Sequence, residues 1–333
     1  MNIYLDNGYL DFEKILKVGC PFIFLVGSRG TGKTFGAIKY CIENNKKFIF
    51  MRRTQTQLEM VTRPEYSPFN AINRELGYHI ETVPNTRYTS DVMQGGKVLG
   101  TMLALSTISN LRGFSSDAEI LIYDEFIPEI HEKKIKDEFS AFANAYETIN
   151  RNRELNGRPP LIALCLSNSN SLNNPLLAEL DLIDIIQKKQ NEGKSEYINP
   201  YRGIAVFLIN NSIISKQKEE TAIYKLTKNT NFFKMALKNE FAQDYPENIK
   251  SMNLAEFIPL VYVKDRFCIY RHKTNKTYYV TEHKRGTPEE FEPSKMDLKR
   301  LLKHYKYINA ARMRGRVFFE TYALQIKYDD IFN

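Results

Sequence analysis

The chain has 333 residues, 43% of them hydrophobic and 26% charged, the make-up of a folded protein with a full core rather than a disordered or fibrous one. Its net charge of +8 points to a polyanionic partner, most simply nucleic acid. Four scattered cysteines with no C-x-x-C pair, five histidines without ligand spacing and no bilayer-length apolar run exclude a disulfide scaffold, a zinc module and a membrane-spanning protein, so an intracellular chain is expected.

In chain order, residues 21–26 predict a first strand, and Gly27-Ser28-Arg29-Gly30-Thr31-Gly32-Lys33-Thr34 follows it directly. This is G-x-x-x-x-G-K-[ST] leaving a strand and opening a predicted helix over residues 33–45, the context of a phosphate-binding P-loop. Glycines let the backbone N–H groups of residues 27–32 turn toward phosphate oxygens. Lys33 reaches the β- and γ-phosphates of ATP, the Thr34 hydroxyl ligates magnesium, and the helix N-terminus adds partial positive charge. For the adenine, Tyr9, Phe12 and Ile15 precede the strand and are candidates only by position.

Residues 47–53 predict a second strand ending in Arg52 and Arg53, and a weakly patterned stretch with a hairpin at Gly95-Gly96 follows. Residues 120–123 are apolar and end in Asp124-Glu125, the form of a Walker B strand. Asp124 would hold magnesium and Glu125 would polarise the attacking water as general base. Residues 160–168 predict a strand ending in Ser167-Asn168, which either sit beside the γ-phosphate or cap the next turn. A polar loop over residues 187–202 leads to a last strand over 203–209. Near-continuous apolar strands alternating with helical patterns predict an α/β fold with a mostly parallel sheet.

Several basic groups carry two readings each. Lys133, Lys134 and Lys136 follow Glu125 and either grip nucleic-acid phosphates in a pore or form a solvated loop, and the same holds for Arg52 and Arg53. The amphipathic stretch 139–153 delivers Arg151-Asn152-Arg153, which either complement a helix C-terminus or act in trans as an arginine finger. Arg112, in a turn-like stretch, is a second trans-acting candidate.

Residues 211–248 are helical and charged, a linker subdomain between residues 1–210 and 249–333. Residues 257–263, 266–271 and 276–281 predict a short antiparallel meander. A basic helical tail over 294–319 carries Lys295, Lys299, Arg300, Lys303, Lys306, Arg312, Arg314 and Arg316, suited to nucleic acid or an acidic protein face.

Gly27 to Thr34, Phe50-Met51-Arg52-Arg53, Tyr123-Asp124-Glu125-Phe126, Arg151-Asn152-Arg153-Glu154 and Cys165-Leu166-Ser167-Asn168 with Asn174-Pro175 occur in an order and spacing that resemble the small DNA-packaging ATPases of the phi-twenty-nine group of podophages. A weaker echo runs through Leu260-Val261-Tyr262 and residues 277–281. The resemblance implies a P-loop NTPase of the additional-strand type and a C-terminal α+β, RNase H-like vestigial nuclease domain. It implies a homo-oligomeric ring, a pentamer, that uses ATP and Mg2+ to move double-stranded DNA through the portal (connector) into a procapsid. It also implies Arg151 as the better finger candidate, with Arg112 near a second trans-acting position. In part of the family a packaging RNA bridges motor and portal. The expected location is the cytoplasm of an infected bacterium, docked transiently on the procapsid, with no membrane partner.

Two-metal phosphodiester cleavage needs three or four clustered carboxylates, whereas Asp265 falls in a turn and Asp297, Asp329 and Asp330 are dispersed. A nuclease-like fold without nuclease activity is therefore expected. The alternatives are a nuclease-competent terminase, another P-loop translocase or helicase, and a slowly hydrolysing nucleotide switch. Asp124-Glu125 argues against the switch, which needs no dedicated base.

Overall fold

A computed structural model describes residues 1–27, 29–111, 114, 116–128, 132, 134–168, 172, 174–209, 213–228, 230 and 248–332; the side chains of 215 and 216 lie outside the described set. The chain divides into two compact units, Met1–Ser171 with Lys189–Ala242, and Leu172–Lys188 with Gln243–Asn333. Leu172–Lys188 groups with the C-terminal unit, and of the expected linker over 211–248, residues 211, 212, 229 and 231–247 lie outside the described residues.

The first unit carries α1 (Phe12–Leu16), β1 (Phe22–Gly27), α2 (Lys33–Glu43), β2 (Phe48–Arg52), α3 (Gln55–Val61), α4 (Asn70–Leu76), β3 (Ile80–Pro84), β4 (Thr89–Gln94), β5 (Lys97–Ala104), β6 (Ile120–Asp124), α5 (Glu138–Asn150) and β7 (Ile162–Ser167). After α6 (Pro175–Glu179) and α7 (Leu182–Asn191) come β8 (Glu196–Asn199), β9 (Ile204–Ile209), α8 (Ile213–Glu219) and α9 (Ala222–Leu226). Nine strands form one sheet in the order β3-β4-β5-β2-β6-β7-β1-β9-β8. The six from β5 to β9 run parallel, and antiparallel strands close both edges.

Burial on both faces explains the apolar runs: Ile23, Phe24, Leu25 and Val26 are all fully buried, as is Leu121-Ile122 of β6. β4 and β5 meet through the two-residue turn Gly95-Gly96, both with positive φ, as a primed hairpin turn requires. Strand β8 falls inside the stretch expected to be a loop. Its residues, Glu196-Tyr197-Ile198-Asn199, are all half-buried and form no apolar run, because an edge strand pairs through its backbone.

In the second unit, β10 (Phe257–Val263), β11 (Phe267–His272) and β12 (Tyr278–Thr281) form the expected meander. Two further strands, β13 (Glu289–Phe291) and β14 (Val317–Phe319), add in parallel at opposite edges, giving the order β13-β10-β11-β12-β14. The basic tail forms α10 (Lys295–His304), capped by Ser294, and α11 (Lys306–Arg312), and the chain ends in the buried α12 (Tyr322–Phe332). Cys20, Cys41, Cys165 and Cys268 are all buried and free, and burial pushes each thiol above its ordinary range. Among the described residues no helix is long and apolar enough to cross a membrane.

Candidate functional site at the carboxyl edge of the sheet

Strand β1 lies between β7 and β9, and β6 lies between β2 and β7. The register aligns Val26 with Ser167, Gly27 with Ile209 and Asp124 with Leu166, so the glycine loop, Asp124 and Ser167 all emerge at the carboxyl edge. Ligands of open α/β sheets bind at this edge.

The loop from Gly27 to Thr34 depends on backbone that favours glycine, with φ of +127° at Gly27, +75° at Gly30 and +78° at Gly32. Gly32 is the N-cap of α2, and a Cβ there would stand 2.8 Å from the ring of half-exposed Tyr9. Lys33, the first residue of α2, is buried, and its Nζ donates to the Gly27 carbonyl at 2.7 Å. Burial holds this lysine down to about 7; Asp124 opposes the shift, while Lys218 and Arg29 add to it. A buried cation ringed by further cations matches a polyphosphate. Arg29 and Gly30 lie at the exposed rim, Thr31 is buried, and Ser28 lies outside the described residues.

Thr34 Oγ1 donates to Asp124 Oδ1 at 2.8 Å, and the other carboxylate oxygen, Oδ2, accepts from Arg52 Nη1 at 2.8 Å. Burial pushes Asp124 upward, opposed by Arg52, Thr34 and Lys33. The second guanidinium nitrogen, Nη2 of Arg52, pairs with Glu125 Oε2 at 2.9 Å. Successive strand side chains alternate in direction. Glu125 nevertheless joins Asp124 on the same arginine because its backbone turns left-handed, with φ of +53°. A hydroxyl facing a carboxylate is an oxygen pair that could hold magnesium alongside substrate phosphates, since magnesium seldom uses an all-protein cage. Among the described residues no group of three or more His, Cys, Asp or Glu side chains could hold a metal alone.

The structure redistributes the basic candidates. Arg52, expected at nucleic acid, is engaged by both acids of the site and is only 12% exposed. Arg53 is fully buried, donating twice to Glu138 at 2.8 and 2.9 Å and once to Glu132 at 3.1 Å, and Tyr123 donates to the same Glu138. A nucleic-acid role for Arg53 is therefore withdrawn: its guanidinium is used up inside the fold. Arg153 is likewise buried, donating to the carbonyls of Ala118 and Pro159, which removes it from the trans-acting set. Lys134 and Lys136 are exposed, and Lys133 and Arg112 lie outside the described residues.

Arg151 is exposed at the C-terminus of α5, with a positive φ of +49°, and donates to the Phe114 carbonyl. Neighbouring Asn150 accepts from Leu161 N, just ahead of β7, so this end of α5 lies at the amino edge of the sheet. The glycine loop lies at the other edge, roughly 20 Å away along a six-residue strand. Arg151 is thus remote from the glycine loop of its own chain. Asn168 follows buried Ser167 at the carboxyl edge. Phe12 and Ile15 are core residues, with Phe12 packed on Gly36, so of the three adenine candidates only Tyr9 faces the loop. Sequence reasoning missed Lys218 of α8, whose Nζ donates to the Arg29 carbonyl at 2.5 Å across 189 residues; no local pattern marks it.

In the C-terminal unit several acids are paired with cations, whereas burial together with Glu282 and Asp181 pushes Asp184 upward. Arg266 lies 3.5 Å from Glu179 and 3.7 Å from Asp330, Lys327 lies 3.3 Å from Asp181 and 3.6 Å from Glu282, and Arg312 pairs with Asp329 at 3.3 Å.

The profile of the Podovirus DNA encapsidation protein (Gp16) family matches residues 5–321. A DNA packaging protein of Bacillus phage B103 is 27% identical over 330 residues, covering 94% of both chains. Two solved structures share the fold: the Phi-28 gp11 DNA packaging motor, with a TM-score of 0.69 and 18% identity over 98% of this chain and 99% of that one, and the bacteriophage Phi-29 viral genome packaging motor assembly, with a TM-score of 0.64 and 20% identity over 97% and 99%. The chain therefore belongs to the podovirus Gp16 family of DNA encapsidation proteins, the DNA-packaging proteins of phi29-type phages.

Proposed function

We propose that this chain is the ATP-hydrolysing subunit of the packaging motor, driving double-stranded DNA through the portal into a procapsid. The observation that carries this reading is the continuous set Thr34–Asp124–Arg52–Glu125 beside the glycine loop, at one edge of one sheet. The strand β7 between β1 and β6 supports an additional-strand P-loop NTPase. Loop N–H groups and Lys33 bind the phosphates, and Tyr9, whose ring lies against Gly32, is the candidate to stack on the base. Magnesium held by Thr34 and Asp124 would neutralise charge on the β- and γ-phosphate oxygens. Glu125 takes the proton of the attacking water, and for that its carboxylate must be released from Arg52. Ser167 and Asn168 would flank the γ-phosphate.

Arg151 is proposed as an arginine finger for a neighbouring subunit, supported by its exposure and its distance from its own loop. This requires a ring, which we take to be a pentamer, with Lys134, Lys136 and the exposed cations of α10 as candidate contacts to DNA, the portal or a packaging RNA. The second unit is proposed as an RNase H-like domain without nuclease activity. Its support is the meander with a parallel strand beside β10, and lysine and arginine paired with the acids that a two-metal site would need.

The test is ATP hydrolysis by the purified protein with and without long duplex DNA. Stimulation by DNA, lost in Lys33→Ala and reduced 100-fold or more in Glu125→Gln as for other general bases, is expected. Hydrolysis indifferent to Glu125→Gln would overturn the catalytic assignment.

A further inference from the structure

Strand β9 ends at Ile209 beside Gly27, and α8 returns toward the glycine loop soon after it. Lys218 Nζ donates to the Arg29 carbonyl at 2.5 Å and lies 2.1 Å from the position a Cβ on Gly30 would take. Gly30 is favoured by its φ of +75°, and a side chain there would also displace the Lys218 ammonium. The Arg29–Gly30 peptide is trans, like every peptide bond of the described residues, so its C=O and N–H point in opposite directions. Fixing the carbonyl toward Lys218 turns the Gly30 N–H away from Lys218, the orientation in which it can meet a phosphate. A flipped peptide would instead turn its carbonyl toward the phosphate, and a carbonyl oxygen repels an anion.

Resting on the reading of this loop as the ATP site, we propose that Lys218 is a positioning residue for phosphate binding: it locks the Arg29–Gly30 peptide with its N–H available to the β-phosphate and adds a third cation beside Arg29 and Lys33. Burial together with Arg29 holds Lys218 below its ordinary range, and Lys218 in turn depresses Lys33, so these cations repel one another until a polyanion arrives. Because the β-phosphate is common to both nucleotides, the effect falls equally on ATP and ADP.

The test measures binding of fluorescent ATP and ADP analogues with Mg2+, and steady-state hydrolysis, for the full chain and for Lys218→Met, Lys218→Arg and Lys33→Ala. Lys218→Met is expected to weaken both nucleotides about tenfold, the effect of losing one hydrogen bond to a charged group. It should raise KM by a similar factor with kcat changed less than twofold, the sign of lost uniform binding. Lys218→Arg, which keeps the charge and the donor, should recover most of the affinity; a folding defect would instead lower kcat at unchanged KM. Lys218→Met binding within twofold of the parent, while Lys33→Ala binds poorly, overturns this inference alone. A parent protein that binds no better than Lys33→Ala overturns the ATP reading and this inference with it.

Discussion

Replacing Arg53 by methionine separates two roles that the sequence left open. Methionine keeps much of the stem's volume and deletes the charge, leaving Glu138, only 2% exposed, to accept from the Tyr123 hydroxyl at 3.0 Å with no cation beside it in place of Arg53. Breaking a buried pair from one side costs about 3–5 kcal/mol, because the other charge stays desolvated. For a unit of this size each kcal/mol lowers Tm by about 2–4 °C, so a drop on the order of 10 °C is expected in a thermal melt followed by circular dichroism. Arg53→Met combined with Glu138→Gln removes the stranded carboxylate and should recover at least half of that loss. Duplex DNA binding, titrated at several salt concentrations at a temperature where both proteins are folded, should keep its slope, whereas losing a phosphate contact would lower it by about one. A variant that melts within about 1 °C of the parent yet loses that slope would refute the reasoning.

Lys33 predicts a proton linkage. Its folded value near 7 lies below the unfolded value near 10.5, so the unfolded chain holds the extra proton between the two, and stability contributed by this group rises with pH across that window. Polyphosphate favours the charged lysine, so ATP binding at pH 8 should take up close to one proton, falling toward zero at pH 6, when titrated calorimetrically in buffers of different ionisation enthalpy. Buffer-independent heats at pH 8, or the same uptake in Lys33→Met, would contradict it. Arg151→Ala should hydrolyse ATP poorly alone, and mixing it with Lys33→Ala should restore activity, since each supplies what the other lacks; no rescue at any ratio would argue against action in trans. Purified protein with Mg2+ or Mn2+ should leave plasmid DNA unnicked, and nicking abolished by chelator would restore the nuclease reading.

What the sequence revealed was local. A loop of eight consecutive residues, an apolar strand ending in two acids, and buried strands with unbroken apolar runs are each written within a few positions. The Gly95-Gly96 hairpin was equally legible, because two glycines supply the two positive φ values of a type I′ turn. Arg52 and Arg53 were not separable, since their fates depend on strand alternation: one side chain meets Asp124 and Glu125, the next meets Glu132 and Glu138. Strands β8, β13 and β14 escaped because short edge strands are held by backbone pairing. Lys218 escaped because its partner lies 189 residues earlier in the chain.

The buried thiols bear on how such a machine can be watched. Only a thiolate reacts readily with a maleimide, and each native cysteine is both shielded and held in its neutral form. A cysteine placed at an open position such as Leu155, which is 85% exposed, would stand alone as a reactive handle. Donor and acceptor dyes could then be attached to neighbouring subunits of otherwise native sequence, and the timing of each subunit's movement read as a change in distance without first rebuilding the core.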